Sequence, residues 1–200
     1  MKNLIRVILI SVVFLTISGC MSPVKTGPEN GYVIDSLPDH IIKTRKRSLA
    51  LLVMVPESNP VYNTQRMAYT TRPYQITYYS HSRWVAVPSS MFSSLITQTL
   101  QKTNHFKAII MPPFTGNYDY ALRTQIKTLL IDYTRKVPVF RLSMQAMLIK
   151  ASNGRMVSSR DFNTVVPLPK ASPYGAVYAA NCAAEKILVE IAAWSVRNTR

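Results

Sequence analysis

Two cysteines, three histidines and nine acidic residues are all that 200 residues offer of the groups that most often carry disulfides, metals and acid-base chemistry. A small domain stapled by disulfides would hold several cysteine pairs, so with only Cys20 and Cys182 stability must come from packing. His40, His81 and His105 are scattered, and no H-x-x-H, C-x-x-C, G-x-S-x-G or phosphate-loop spacing occurs. The pattern argues against a metal centre and against an enzyme, and it assigns no catalytic residue and no cofactor. His81 and His105 are expected in loops at the two ends of the first helical region. Cys182 lies within "YAANCAAEKILVEIAAW", an apolar helical pattern, and reads as a small buried core residue.

Long hydrophobic runs are also scarce, and the clearest one opens the chain. Met1 to Arg6 is a short basic segment, and Val7 to Leu15 is a nearly unbroken apolar run, short for a bilayer span. Ile17-Ser18-Gly19-Cys20 follows, with an aliphatic residue three places before the cysteine and small residues between. This resembles the bacterial lipobox. The resemblance implies diacylglycerylation of the Cys20 thiol, cleavage just before it, and acylation of the freed amine, for example with palmitate. Several acyl chains, at about 0.8 kcal/mol per buried methylene, make such an anchor effectively permanent. The alternative is an uncleaved N-terminal membrane helix with an incidental cysteine. Met21 follows Cys20 in place of the aspartate that retains enterobacterial lipoproteins at the inner membrane, so the resemblance implies the outer membrane, periplasmic face.

Acidic charge is the other shortage, because 24 lysines and arginines face nine acids for a formal net charge of +15. Only Lys2 and Arg6 fall within the first 19 positions, so the excess belongs to the exported part. Such a charge favours anionic surfaces, either phosphates or acidic lipid headgroups, and export argues against nucleic acid.

Residues 1–19 thus read as a lipoprotein signal peptide, residues 20–30 as the lipidated cysteine and a Pro/Gly-broken tether, and residues 31–200 as one folded domain. Strands are expected at Tyr32–Asp35, Leu49–Val55, Met67–Thr70, Gln75–Tyr79 and Lys107–Met111. Met91, Phe92, Leu95, Ile96 and Leu100 carry helical spacing, predicting a helix over about 89–103 with a serine N-cap after Pro88. "YALRTQIKTLLIDY" alternates with period two before turning more apolar. Two further strands flank Asn153-Gly154, a hairpin signal. A closing helix over about 175–196 aligns Val177, Ala180, Ala184, Ile187, Ile191 and Trp194 in one stripe. The order predicts an α+β fold, an antiparallel sheet with two main helices packed on it.

The segment "YTTRPYQITYYSHSRW" interleaves aromatic and basic residues. Arg72, Tyr78, Arg83 and Trp84 within it, and Arg66 just before it, are therefore candidates for contact with a partner or a lipid. They also fit a plain strand whose arginines are solvated edges that discourage sheet-to-sheet pairing.

"RPYQITYYSHSRWVAVPSSMFSSLITQTLQKTNHFKAIIMPP", "YALRTQIKTLLIDY", "ASNGRMVSSRDF" and "SPYGAVYAANCAAEKIL" together resemble the ABC-type transport auxiliary lipoproteins, the PqiC-like component of Mce-type lipid transport systems. The most specific parts are Tyr78, Arg83 and Trp84 followed by Pro88, and the block Pro173-Tyr174-Gly175. The resemblance spans roughly Tyr32 to Trp194. It implies a non-catalytic outer-membrane lipoprotein working beside an inner-membrane ATPase, a permease and an Mce-domain protein that move phospholipid between the two membranes. It also implies a homo-oligomer, since PqiC-like members assemble as rings. A structural envelope lipoprotein that binds peptidoglycan or supports an outer-membrane secretion assembly is the alternative reading.

Overall fold

A computed structural model describes residues 28–199, so Cys20, the signal segment and most of the tether lie outside the described residues. Nine strands and two α-helices follow in the order β1 (Asn30–Tyr32), β2 (Ala50–Val53), β3 (Glu57–Ser58), a 3-10 turn (Pro60–Tyr62), β4 (Arg66–Thr70), β5 (Thr77–Trp84), α1 (Pro88–Lys102), β6 (Ala108–Ile110), β7 (Tyr120–Asp132), β8 (Val139–Lys150), β9 (Met156–Pro167) and α2 (Pro173–Asn198).

β7 is the axis of the sheet. One edge pairs with β8 along its whole length, and β8 pairs with β9, both antiparallel. The other edge is shared in turn by β2, β3 and β4, all parallel to β7, from Leu51 opposite Tyr120 to Thr70 opposite Asp132. β6 adds to β2, and β5 and β1 extend the sheet beyond β4. The sheet is therefore mixed and not antiparallel throughout. Hydrophobic alternation reports which side chains face the core, but it carries no information on the direction of the neighbouring strand.

The alternation in β7 changes phase for a visible reason. Leu122, Thr124 and Ile126 face inward, the register then slips between Ile126 and Thr128, and Leu129 and Ile131 face inward afterwards. One inserted residue flips every following side chain to the other face. Opposite them Phe140, Leu142, Met144, Ala146 and Leu148 keep an unbroken period of two and are all buried.

Both helices pack on this face. The predicted stripe of α2 is buried, from Val177 to Trp194. Its alanines Ala176, Ala179, Ala180, Ala183 and Ala184 let the helix lie close on β8 and β9, while Phe162 and Trp194 meet edge to face at 5.9 Å. Cys182 is only half-buried at the margin of the core.

Helix ends differ in detail from expectation. α1 starts at Pro88, and Val87 takes the N-cap position without a side-chain bond, so no serine caps it; the proline itself sets the first helical φ. α2 begins at Pro173, and the Ser172 hydroxyl accepts the Gly175 amide hydrogen at 3.1 Å. A Cβ on Gly175 would lie 2.1 Å from the Lys170 carbonyl oxygen, so the Pro173-Tyr174-Gly175 block fixes how the chain folds back into the helix. β5 runs on to Trp84, which puts His81 on a strand and not in a loop. β1 begins before the expected Tyr32 and ends there, because residues 33–36 are pinned to α2 instead. The β8–β9 hairpin turns through Ala151–Gly154, with Gly154 at φ +65°.

Candidate functional site

The five basic and aromatic candidates do not form one surface. Trp84 is buried, 1% exposed, with its indole Nε1 unpaired among the described residues, so it is a core residue and not a contact. A large aromatic at the buried end of a strand packs inward whatever its neighbours are. Arg66 and Arg83 sit directly opposite each other across β4 and β5, a like-charge pair that needs separate partners. Arg66 lies over the Tyr78 ring, 4.2 Å from its centre, and the Tyr78 hydroxyl donates to the Val61 carbonyl at 3.0 Å. Arg83 instead pairs with Glu29 at 2.9 Å and donates to Gln65 Oε1 at 3.2 Å. Arg66, Tyr78 and Arg83 are thus together on the β4–β5 ladder, whereas Arg72 lies apart in the turn joining these strands.

That turn is unusual. In Arg72-Pro73-Tyr74-Gln75 the Gln75 amide donates to the Arg72 carbonyl at 3.4 Å, proline stands second and Tyr74 third, with φ +63°. Glycine or asparagine normally takes that third place, and a left-handed backbone costs a residue with a Cβ about 1–2 kcal/mol. The Tyr74 side chain is fully exposed. Proline in "TRPYQI" signals a turn in the sequence, but nothing there marks the tyrosine as its strained, exposed corner.

A second turn, residues 133–138, stands beside it, because β4 and β7 run parallel and end together. Tyr133 donates its amide hydrogen to Thr70 O at 2.9 Å, and the Tyr69, Tyr79 and Tyr133 rings cluster, with the Tyr79 and Tyr133 hydroxyls 2.5 Å apart. Burial and the neighbouring Tyr133 push the Tyr79 hydroxyl well above the ordinary tyrosine range. Below lies Asp132, 4% exposed, accepting from the Thr134 amide and hydroxyl and flanked by Arg141 at 3.6 Å and Arg135 at 3.8 Å. Burial alone would raise this carboxyl; the Thr134 bonds and the two arginines outweigh it and hold it below its usual range. An open groove of about 430 Å³ separates the turns, bordered by Arg72, Tyr74, Ile76, Leu130 and Arg141.

His105 has a structural setting. It is 3% exposed, in the loop after α1 as expected, and its ring nitrogens meet Thr44 Oγ1 at 2.9 Å and Thr199 Oγ1 at 3.1 Å. Burial lowers its pKa, Arg47 adds to this, and the bond with Thr199 opposes it. Among the described residues no three His, Cys, Asp or Glu side chains gather where a metal could be held.

This architecture, a curled mixed sheet with two helices on one face, recurs in solved structures. The chain is similar to protein XCC0632 from Xanthomonas campestris, at 18% identity and a TM-score of 0.76, covering 84% of this chain and 95% of that one. An uncharacterized protein matches at 13% identity and a TM-score of 0.63, covering 83% and 99%. The hypothetical protein CT253 from Chlamydia trachomatis matches at 8% identity and a TM-score of 0.52, covering 76% and 98%. At such identities these likenesses establish the fold. No curated relative matches the sequence. The model of the ABC-type transport auxiliary lipoprotein component family matches residues 32–192, most of the folded domain. The chain belongs to that family, a class of envelope lipoproteins that serve transport systems.

Proposed function

We propose that the protein is a periplasm-facing lipoprotein of the outer membrane, anchored through Cys20, that serves as the non-catalytic auxiliary component of an Mce-type ABC system moving phospholipid between the two membranes. The family match over residues 32–192 carries this reading, and the lipobox-like Ile17-Ser18-Gly19-Cys20 supports it independently. The domain's activity is binding. Arg66, Tyr78 and Arg83, ordered by their own partners on the β4–β5 ladder, form the candidate face for the Mce-domain protein. Partial neutralisation of Arg83 by Glu29 leaves Arg66 and the exposed side of the Tyr78 ring as its main features.

The test is capture of the lipidated protein from envelopes after crosslinking, combined with a deletion strain. Recovery of an Mce-domain protein, and loss of outer-membrane lipid asymmetry on deletion, are expected. Recovery of peptidoglycan or of a secretion assembly in its place, with asymmetry unchanged, would overturn the proposal.

A further inference from the structure

We propose that the paired turns 71–76 and 133–138 form a second membrane contact, a basic and aromatic tip that seats on an anionic phospholipid surface and fixes the orientation of the domain on its own bilayer. This rests on the reading of Cys20 as the lipid anchor.

Composition comes first. The turns expose Tyr74, Ile76 and Val137 beside Arg72, Arg135 and Lys136, and neither contains an acidic residue. Asp132, the acid beneath them, is buried and engaged by Arg135 and Arg141, so its charge is not presented outward. Apolar and aromatic tips flanked by cations suit the boundary between headgroups and acyl chains, where a tyrosine keeps its hydroxyl in water and its ring in the interface. A strained tyrosine left fully exposed by the described residues is a further sign, because left-handed backbone at such a residue persists where it serves a contact.

Rigidity comes second. The tyrosine cluster and the Thr70–Tyr133 bond tie the start of the 133–138 turn to β4 and β5, the strands that carry the 71–76 turn, so the two turns stand on one braced base with the groove between them.

Position comes third. β1 runs parallel to β5 from Asn30 opposite Ser82 to Tyr32 opposite Trp84, so its first residue is the one nearest the Thr77 end of β5, the end that carries the 71–76 turn. Asn30 lies five residues from Thr77 along β5, about 17 Å at the rise of a strand. Ten residues separate Cys20 from Asn30, a contour of at most roughly 35 Å. A bilayer reached by an anchor at Cys20 is therefore within reach of the tip.

The experiment uses the full chain carrying Tyr74→Trp, incorporated into phosphatidylethanolamine vesicles with and without phosphatidylglycerol and with brominated acyl chains. The native Trp84 and Trp194 are 1% and 4% exposed and give a fixed background. The expected result is emission from the new indole that shifts to the blue and is quenched by the brominated chains when phosphatidylglycerol is present. Arg135→Glu with Lys136→Glu in the same background should abolish that quenching while the protein still floats with the vesicles. An indole that stays water-exposed and unquenched in protein that floats would overturn the tip and leave the anchor standing. A blue shift that depends on protein concentration and ignores bromine would assign the tip to a second copy of this chain and equally overturn it. Protein that fails to float at all would overturn the anchor and the tip together.

Discussion

Asn181 on α2 holds Asp35 by its backbone, accepting the Asp35 amide hydrogen at 2.9 Å through Oδ1. The same oxygen accepts from Ser36 at 3.0 Å, and Nδ2 donates to the Val33 carbonyl at 3.1 Å. One side chain thus satisfies three backbone groups of a segment that has left the sheet, which is where unpaired groups would otherwise need water. Asn181→Leu removes all three bonds and should destabilise the domain by about 1–3 kcal/mol. Asn181→Asp keeps the acceptor, loses the donor, and should fall between. Urea unfolding midpoints at unchanged slope measure both, and equal stability of the leucine variant and the parent would show that the segment is held by other means.

Gly175→Ala should cost more than a helix-favouring substitution normally could. The added methyl meets the Lys170 carbonyl oxygen at 2.1 Å, and backbone cannot swing away as a flexible side chain would. Overpacking of this kind costs typically 1–3 kcal/mol, against which the gain in helix propensity is about 1 kcal/mol. A thermal midpoint lowered in Gly175→Ala but unaltered in an alanine substitution at exposed Tyr178 on the same helix is the expected pair of results.

His105 makes the fold sensitive to mild acid. Its pKa is lowered in the folded state, so the folded protein prefers the neutral ring and the unfolded chain binds the proton more readily. The contribution is complete above the ordinary histidine value of about 6.5 and is lost as pH falls through the lower folded value. Stability should therefore decline from about pH 6.5 downward, and His105→Gln should flatten that part of the profile while lowering stability at pH 8. Asp132, whose carboxyl is also held low, adds a separate loss at more acid pH, below the ordinary carboxylate value. Denaturant titrations across the range separate the two, and an unchanged slope near pH 6 in His105→Gln would refute the assignment.

The long elements were legible because their residues obey one period over many turns. The stripe from Met91 to Leu100 on α1, the stripe from Val177 to Trp194 on α2 and the even-numbered residues of β8 from Phe140 to Leu148 all face the core as spacing requires. The pairing of β2, β3 and β4 along one edge of β7 was not legible, since each is short and the partner's direction leaves no mark on a strand of two to five residues. At the candidate site the basic and aromatic residues were visible as types, but their fates were not. Trp84 turned inward at the buried end of β5, and Arg83 found Glu29, which immediately precedes β1 where that strand pairs with β5. Tyr74 carries no mark in the sequence, because a left-handed φ at a tyrosine is imposed by the turn's setting and is against the residue's own preference.

Cys20→Ala should separate anchoring from folding. The hydrophobic core found among the described residues runs from Ile34 to Trp194, and residues 28–199 contain every strand and helix of the domain described here. Position 20 lies outside this stretch, and removal of the thiol should leave the unfolding midpoint of the domain unaltered. If the thiol is the lipid attachment point, the same substitution blocks acylation and cleavage before residue 20. The protein then accumulates as precursor or is released from the membrane fraction, as globomycin should also cause for the unaltered chain. The contrast is the informative part: a change in membrane partition with no change in stability places Cys20 in anchoring alone. Normal processing in the presence of globomycin, or a Cys20→Ala protein that still fractionates with the outer membrane, would refute the lipid anchor.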